Sequence, residues 1–326
     1  MKTISGFIGL VIMFYLSFTL SAETEAVYTS FPYTFSLSSS AGLLAGRAEE
    51  IVYASSDSDE RLSQLRWDIQ PLFYAGMGLH FSRINPLEKW GIFADLSLRF
   101  GIPAKTGSME DRDWQAEDGH LTNFSSHTNY TEGAFLLDFA PIGFSFPIFS
   151  LIVCKVYPVF SFMYFSWASK DGYIQYEQYN TDAYTSWEKR SYTGPVINYT
   201  QQWLIISQGI GVWAPFLKIF SASLAVQIGT AIQCIARDDH FLRNMRFIDT
   251  AYWGFYLEPK GEFVFAPHPR ARIGLSAGYR LINGSRGASY TGSTGLDLPE
   301  EFTSSESTAG AGYGAFDIGL SVELRF

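Results

Sequence analysis

The chain has 326 residues, a formal net charge of −9 and an aromatic share of 17 %. The excess of acid argues against binding to nucleic acid and favours basic peptides as partners. Two cysteines are too few for a disulfide framework.

The first 22 residues have the pattern of a secretory signal peptide. Lys2 gives a short positive region, and GFIGLVIMFYLSFTL is an apolar run of signal-peptide length. Cleavage is predicted after Ala22, with Ala26 as the alternative. A membrane anchor is the competing interpretation, but the run is short for a spanning helix and no stop-transfer charges follow. Residues 23–326 are therefore predicted to be an exported chain with a single barrel domain.

The last strand gives the clearest evidence for a barrel. In AFDIGLSVELRF the apolar and polar residues alternate with a period of two, which is the pattern of an extended strand between two different surroundings. The apolar face consists of Phe316, Ile318, Leu320, Val322, Leu324 and Phe326. The terminal aromatic residue resembles the insertion signal of bacterial outer-membrane barrels. Charged residues on the opposite face fit a polar barrel interior better than a dry core.

The same alternation recurs along the chain and predicts ten strands. They lie at approximately 31–53, 62–82, 88–101, 131–143, 151–169, 192–210, 217–235, 249–265, 270–283 and 312–326. Short turns are predicted near 83–87, 144–150, 211–216 and 266–269, and long polar loops at 54–61, 102–130, 170–191, 236–248 and 284–311. The sequence thus predicts an all-β fold, a ten-stranded antiparallel transmembrane β-barrel in the bacterial outer membrane with long extracellular loops.

Two acidic stretches, SMEDRDW and RDDHF, fall at the predicted extracellular rim. On extended backbone, residues i and i+2 point to the same side about 6–7 Å apart. Asp111 and Asp113 can therefore form a carboxylate pair. Asp238 and His240 can form a dyad in which the carboxylate fixes the imidazole tautomer and stabilises its cation. The competing interpretation is that these are solvated loop residues.

The alternation of strand 217–235 bears on the second stretch. If it continues unbroken, Asp239 points inward, and Asp238 and His240 point outward. The dyad therefore requires a bulge or a loop break near 235–237.

Four segments in the same order resemble the omptin family of ten-stranded outer-membrane aspartyl-type endoproteases. They are GRAEEIVY at 46–53, SQLRWDI at 63–69, SMEDRDW at 108–114 with an Asp-x-Asp-Trp motif, and DDH at 238–240 with an Asp-x-His motif. Together with the strand count, the resemblance covers essentially all of the mature chain.

The resemblance implies four catalytic residues, Asp111, Asp113, Asp238 and His240. It implies hydrolysis by a water held between the two pairs, with His240 as general base and Asp238 orienting it. The aspartate pair, close enough to share a proton, would position the water and stabilise the charge of the tetrahedral intermediate. The implied site lies at the cell surface and needs no metal. A His/Asp zinc site is the rival chemistry, but such sites usually need three protein ligands, and only His240 has a suitable setting.

The resemblance also implies peptide or protein substrates that contain Lys or Arg. Glu50 matches the family's acid that binds a basic side chain beside the scissile bond, whereas its plain interpretation is a glutamate at the base of a loop. The family's second pocket acid should stand two residues before Asp238, where this chain has Ala236 followed by Arg237. A preference for basic residues is expected, and strict dibasic specificity is not.

An outer-membrane lipid is the other partner that the resemblance implies. Omptins typically need lipopolysaccharide, which arginines on two outer strand faces bind. Here Ser169, with Lys170 beside it, and Gln202 stand at those places, so charge-assisted contacts to phosphate are largely missing. No other cofactor is expected.

Two non-enzymatic functions remain as alternatives, an adhesin whose loops bind host protein and a porin. A porin is disfavoured because inward side chains can largely fill a ten-stranded barrel. These are Tyr252, Tyr256, Glu258, Lys260, Arg272 and Arg280.

The sequence also predicts where two histidines and the two cysteines lie. His120 and His127 are expected at the surface of the loop at 102–130. Cys154 and Cys234 are expected to be free thiols that face lipid.

Overall fold

The computed structural model describes residues 33–326, except 56, 84–89, 150–151, 180–184 and 295–301. The predicted signal peptide, residues 1–22, lies outside the described residues. Within them, no helix has both the length and the apolar character needed to cross a membrane.

Eleven strand segments account for most of the described chain. They are β1 (Tyr33–Tyr53), β2 (Arg61–Arg83), β3 (Gly91–Gly101), β4 (Ala104–Asp113), β5 (Asn123–Phe149), β6 (Ile152–Tyr179), β7 (Thr185–Leu217), β8 (Phe220–His240), β9 (Met245–His268), β10 (Ala271–Ser293) and β11 (Thr303–Arg325). Each pairs antiparallel with its neighbours, and β1 pairs with both β2 and β11. The sheet therefore closes on itself as a barrel, which leaves no open edge.

Segments β3 and β4 together occupy one strand position in the barrel wall. Both pair with β2 on one side and with β5 on the other. The described wall thus has ten positions around its circumference, and the predicted fold class is confirmed.

Most of the exposed large apolar side chains in the described part of the chain lie towards one end of the barrel. Large apolar side chains that are strongly exposed lie on the outer faces there; examples are Phe35, Phe73, Met77, Phe100, Phe144, Phe160, Ile210, Leu224, Ile228, Phe263, Leu275, Phe316, Ile318 and Leu320. We call this ring of outward side chains the apolar belt. A band of apolar side chains on the outside of a barrel is the surface that contacts lipid tails.

The strands continue well beyond the belt, and the predicted loops are therefore too long. The loop predicted at 236–248 shrinks to 241–244, and that at 102–130 is mostly the strands β4 and β5. The turn predicted at 211–216 is also strand, and the chain turns instead at Lys218 and Ile219. Outside lipid both faces of a strand carry polar residues, so the alternation by which the sequence reveals strands disappears there.

Ion pairs fill the barrel at the level of the belt. Arg280 Nη2 lies 3.0 Å from Asp138 Oδ1 and 2.7 Å from Glu258 Oε2. Arg99 Nη2 lies 2.7 Å from Asp138 Oδ2 and also pairs with Asp317. Each charge of this cluster has an opposite partner, as a low-dielectric interior requires.

Tyr252 does not belong to this interior, contrary to prediction. Its side chain is 41 % exposed, whereas Tyr256 is fully buried as predicted. The reason is Trp253, whose φ of 59° interrupts the strand and reverses which side chains point inward.

Candidate active site

A one-residue bulge in β8 decides which way the DDH stretch faces. Ile205 pairs with Ala231 but Leu204 pairs with Gln233, so Ile232 is an extra residue relative to β7. Before the bulge Ala231 points inward, and after it the even-numbered residues do. An extra residue shifts the period-2 pattern by one and exchanges the two faces. The break required for an inward dyad therefore exists, but it lies before the predicted 235–237.

Asp238 and His240 consequently face the interior and contact each other. His240 Nε2 lies 2.6 Å from Asp238 Oδ2, and the two side chains are 13 % and 2 % exposed. Burial lowers the pKa of His240, but the charge and hydrogen bond of Asp238 outweigh it and hold that pKa above the usual value. This is the geometry of a carboxylate that orients an imidazole.

A second bulge turns the other acidic stretch inward. Between the pairs Lys105–Tyr130 and Ser108–Thr128, β4 has one residue more than β5, and Gly107 adopts a φ of 106° there. Glycine tolerates this left-handed backbone without a steric penalty. Asp68 fixes the bulge by accepting hydrogen bonds from the amide and hydroxyl of Ser108 at 3.0 and 2.9 Å.

Asp111 and Asp113 follow this bulge on β4. Asp113 is 7 % exposed and accepts a hydrogen bond from Asn123 Nδ2 at 3.3 Å. Ser63 donates to Asp111 Oδ1 at 3.4 Å. Burial and the charge of Asp113 raise the pKa of Asp111 to about 7, so one member of the pair can carry a proton at neutral pH.

The two stretches lie close enough in space to interact. Asp111 is electrostatically coupled to both His240 and Asp238, and to Arg243 in the connection that follows β8. A carboxyl that holds a proton and an imidazole that can accept one thus lie together on the inner side of the barrel, in the space that we call the cleft. Such a combination can perform general acid–base chemistry on a bound molecule. Arg243 has no motif that would have revealed it in the sequence.

Glu50 lies in the same cleft, on β1. Its side chain is 4 % exposed and its Oε2 atom has no hydrogen-bond partner in the described part of the protein. Burial, followed by the charges of Asp238 and Asp249, raises its pKa well above the usual value. Glu50 is therefore a buried acid of the site and not a solvated residue at a loop base.

Asp249 on β9 is a site residue that sequence reasoning missed. It is 4 % exposed, pairs directly with Ala236 and interacts electrostatically with Glu50. Burial, supported by the charge of Asp238, raises its pKa to about 7. The sequence gives only a weak signal for it, because Asp249 stands at the predicted start of a strand where acids are common.

Stacked aromatic rings close the cleft towards the belt. Trp67 and Tyr199 stack with centroids 5.1 Å apart and an interplanar angle of 9°, and Trp167 stacks on Tyr199 at 5.6 Å. All three side chains are fully buried. Tyr199 pairs with Asp238 in the ladder between β7 and β8. The stacked rings therefore lie beside the dyad and limit access of water from the belt side of the barrel.

Two further predictions about inward and outward side chains are wrong. Cys234 is buried and faces inward because it follows the Ile232 bulge, whereas Cys154 remains partly exposed. His127 is 2 % exposed and lies in the wall of β5, where its Nδ1 contacts the carbonyl of Asp171 at 3.1 Å. His120 is exposed as expected and pairs with Glu177 at 2.6 Å.

The two positions compared with lipid-binding arginines face opposite ways. Ser169 is buried, and its hydroxyl bonds the backbone of Ile197. It therefore cannot contact lipid, and the assignment of Ser169 to an outer face is wrong. Gln202 lines a shallow groove on the outer surface together with Tyr164 and Arg237.

Among the described residues, no three or more His, Cys, Asp or Glu side chains are arranged to hold a metal ion.

Comparison with known proteins gives a family match over the whole of the described chain. The sequence model of the Omptin family matches residues 31–326. No curated protein sequence matches. Among solved structures, the outer membrane protease OmpT from Escherichia coli shares the fold with a TM-score of 0.73 and 14 % identity, over 93 % of this chain and 100 % of that one. The outer membrane protein OprG from Pseudomonas aeruginosa gives a TM-score of 0.36 at 10 % identity, over 90 % and 95 % of the two chains.

Proposed function

The chain belongs to the omptin family, and from that premise we propose that it is an endopeptidase that cuts peptide bonds beside basic residues. An outer-membrane protease is what the family match supports.

One observation carries the proposed chemistry. The Asp238–His240 dyad and the Asp111–Asp113 pair line one cleft, and Asp111 interacts electrostatically with His240. The pair supplies a proton donor near neutral pH, and the dyad supplies a base with a fixed orientation.

The proposed reaction uses one water molecule between the two pairs. His240 removes a proton from the water as its oxygen adds to the carbonyl carbon, and Asp238 stabilises the resulting imidazolium. Asp111, kept protonated by its burial and by the charge of Asp113, donates a hydrogen bond to the carbonyl oxygen. His240 then returns its proton to the leaving nitrogen as the C–N bond breaks, so the enzyme ends in its starting protonation state.

Glu50 gives the proposed selectivity. A buried carboxyl group with an unpartnered oxygen favours a cationic side chain, because ionic hydrogen bonds satisfy a buried acceptor best. Peptides that contain Lys or Arg are accordingly the proposed substrates.

The proposed lipid partner contacts the outer groove around Gln202, where Arg237 is the nearest cationic side chain. A titration of refolded protein with lipopolysaccharide, followed by peptide cleavage, measures whether activity depends on that lipid. The expected dependence is weak, because Gln202 offers no charge to phosphate and Arg237 is already paired with Asp239 at 3.1 Å.

Digestion of a mixed peptide library by the refolded protein tests the proposed function. Wild type should cut beside Lys or Arg, and Asp111→Ala and His240→Ala should not. If a folded barrel cuts nothing with or without lipopolysaccharide, proteolysis is refuted, and an adhesin that binds host protein becomes the leading alternative.

A further inference from the structure

Asp249 places a carboxyl group beside the position where this chain has alanine. Residues 236 and 249 are direct partners in the β8–β9 ladder, and both side chains face inward. Side chains of directly opposite residues have Cβ atoms about 4.5–5.5 Å apart. The small side chain of Ala236 leaves the intervening space to the longer Asp249.

The carboxyl groups of Glu50 and Asp249 form a pair with unused bonding capacity. They lie close enough to interact electrostatically. Yet Glu50 Oε2 and Asp249 Oδ1 are buried and have no hydrogen-bond partner in the described structure. Leaving a buried acceptor unsatisfied costs about 1–3 kcal/mol, so such an arrangement is expected where a ligand completes it.

We propose that Asp249 is a specificity-determining residue which, together with Glu50, receives one cationic side chain of the peptide, an ammonium or guanidinium group. The inference rests on the proposed proteolysis and adds to it a residue from a strand outside the matched motifs. A carboxyl pair that shares one proton has one negative charge, which matches one cation.

The location of the pair agrees with this role. Both Glu50 and Asp249 interact electrostatically with Asp238, the partner of the base. A side chain bound between them is therefore held next to the dyad, and the adjoining peptide bond lies within the same cleft. The titratable groups that surround the pair are Asp238 and Cys234 of β8, Asp111 of β4 and Tyr199 of β7.

The test compares two peptides that differ only in having Arg or Gln beside the cut bond. For Asp249→Asn, the ratio of kcat/KM between the Arg and Gln peptides should fall roughly 10- to 100-fold, mainly through a higher KM, because one ionic hydrogen bond is lost. Glu49→Gln is the matched control. It removes a carboxylate next to Glu50 that points outward to Arg47 and Arg66, and it should leave the ratio unchanged.

A relocation variant distinguishes the pocket role from a structural one. Asp249→Ala combined with Ala236→Asp moves the carboxyl group to the paired residue on β8 and should recover most of the Arg preference that Asp249→Ala alone loses. An unchanged preference in Asp249→Asn and Asp249→Ala would overturn the inference while proteolysis stands. Failure of the wild type to cut any peptide refutes the proposed function, and with it this inference.

Discussion

The imidazole Nε2 of His240 lies 2.6 Å from Oδ2 of Asp238, two residues earlier on the same strand. The contact exists because both side chains point into the barrel after the Ile232 bulge. The backbone of β8 therefore fixes the orientation of the proposed base.

Loss of this contact should lower turnover more than substrate binding. Asp238→Asn keeps the shape of the side chain but removes the charge that stabilises the imidazolium, so kcat should fall about 10²- to 10⁴-fold with little change in KM. Steady-state cleavage of a single peptide measures both constants. Asp239→Asn is the control, because Asp239 pairs with Arg246 at 2.5 Å on the other face. An equal loss in the control would contradict the assignment.

The pH dependence of kcat/KM should identify the general base. General-base action needs neutral His240, so kcat/KM should increase with pH through a value above 6.5, the direction in which Asp238 shifts the pKa. In Asp238→Asn the residual activity should rise at a lower pH, because the imidazolium has lost its partner. Rate measurements between pH 5 and 9 decide this, and an unmoved acid limb would exclude His240 as the base.

Removal of the β8 bulge should inactivate the protein without preventing membrane insertion. Deletion of Ile232 restores unbroken alternation on β8 and directs His240 outward, so peptide cleavage should be lost. Ile232→Val, which keeps the residue count, should retain activity. Gel mobility before and after heating reports barrel folding in both variants. A folded and active deletion variant would refute the role of the bulge.

Stability should depend on pH through the buried acids. The folded-state pKa values of Asp111 and Asp249 are about 7, above the usual value for Asp. Their stabilising contribution is therefore complete at low pH and is lost as pH rises towards and through 7. Asp249→Asn should raise the free energy of unfolding at pH 8.5 by about 1–2 kcal/mol, since one pKa unit corresponds to about 1.4 kcal/mol. At pH 4 the gain should vanish. Urea titrations at both pH values measure the difference, and a gain of equal size at both would point to packing instead of ionisation.

The barrel should not conduct ions. Arg280, Asp138 and Glu258 join opposite walls inside the belt, and each contact leaves less room for water. Refolded protein in a planar bilayer should give no stepwise current above that of lipid alone. Stable conductance steps of porin size would restore the porin alternative.

The sequence predicts the membrane-spanning part of the fold well because lipid imposes a strict alternation there. The outward residues of β11, from Phe316 to Leu320, stand on the predicted face. Above the belt the alternation weakens, and β4 was therefore predicted as loop. A one-residue bulge cannot be recognised from the alternation of apolar and polar residues. Its effect is to exchange the inward-facing and outward-facing residues that follow it. For this reason Cys234 and Tyr252 were assigned to the wrong faces.

The candidate site was only partly accessible from sequence. Asp111, Asp113, Asp238, His240 and Glu50 stand within recognisable motifs. Asp249 reaches the cleft only through the pairing of β8 with β9, a relationship that no local motif encodes. Alanine at 236 therefore looked like the loss of an acid from the pocket, although the neighbouring strand supplies one.

The reversals at Ile232 and Trp253 have a consequence for how this molecule can change over evolutionary time. They divide β8 and β9 into two segments each, one with its outer face on the belt and one with its inner face on the cleft, and the two segments have independent alternation. Adaptation to a different membrane and adaptation to a different substrate can then draw on separate sets of residues. A chimera joined at the level of Ile232 on β8 and Trp253 on β9 should accordingly transplant the upper segments as a unit onto another ten-stranded wall.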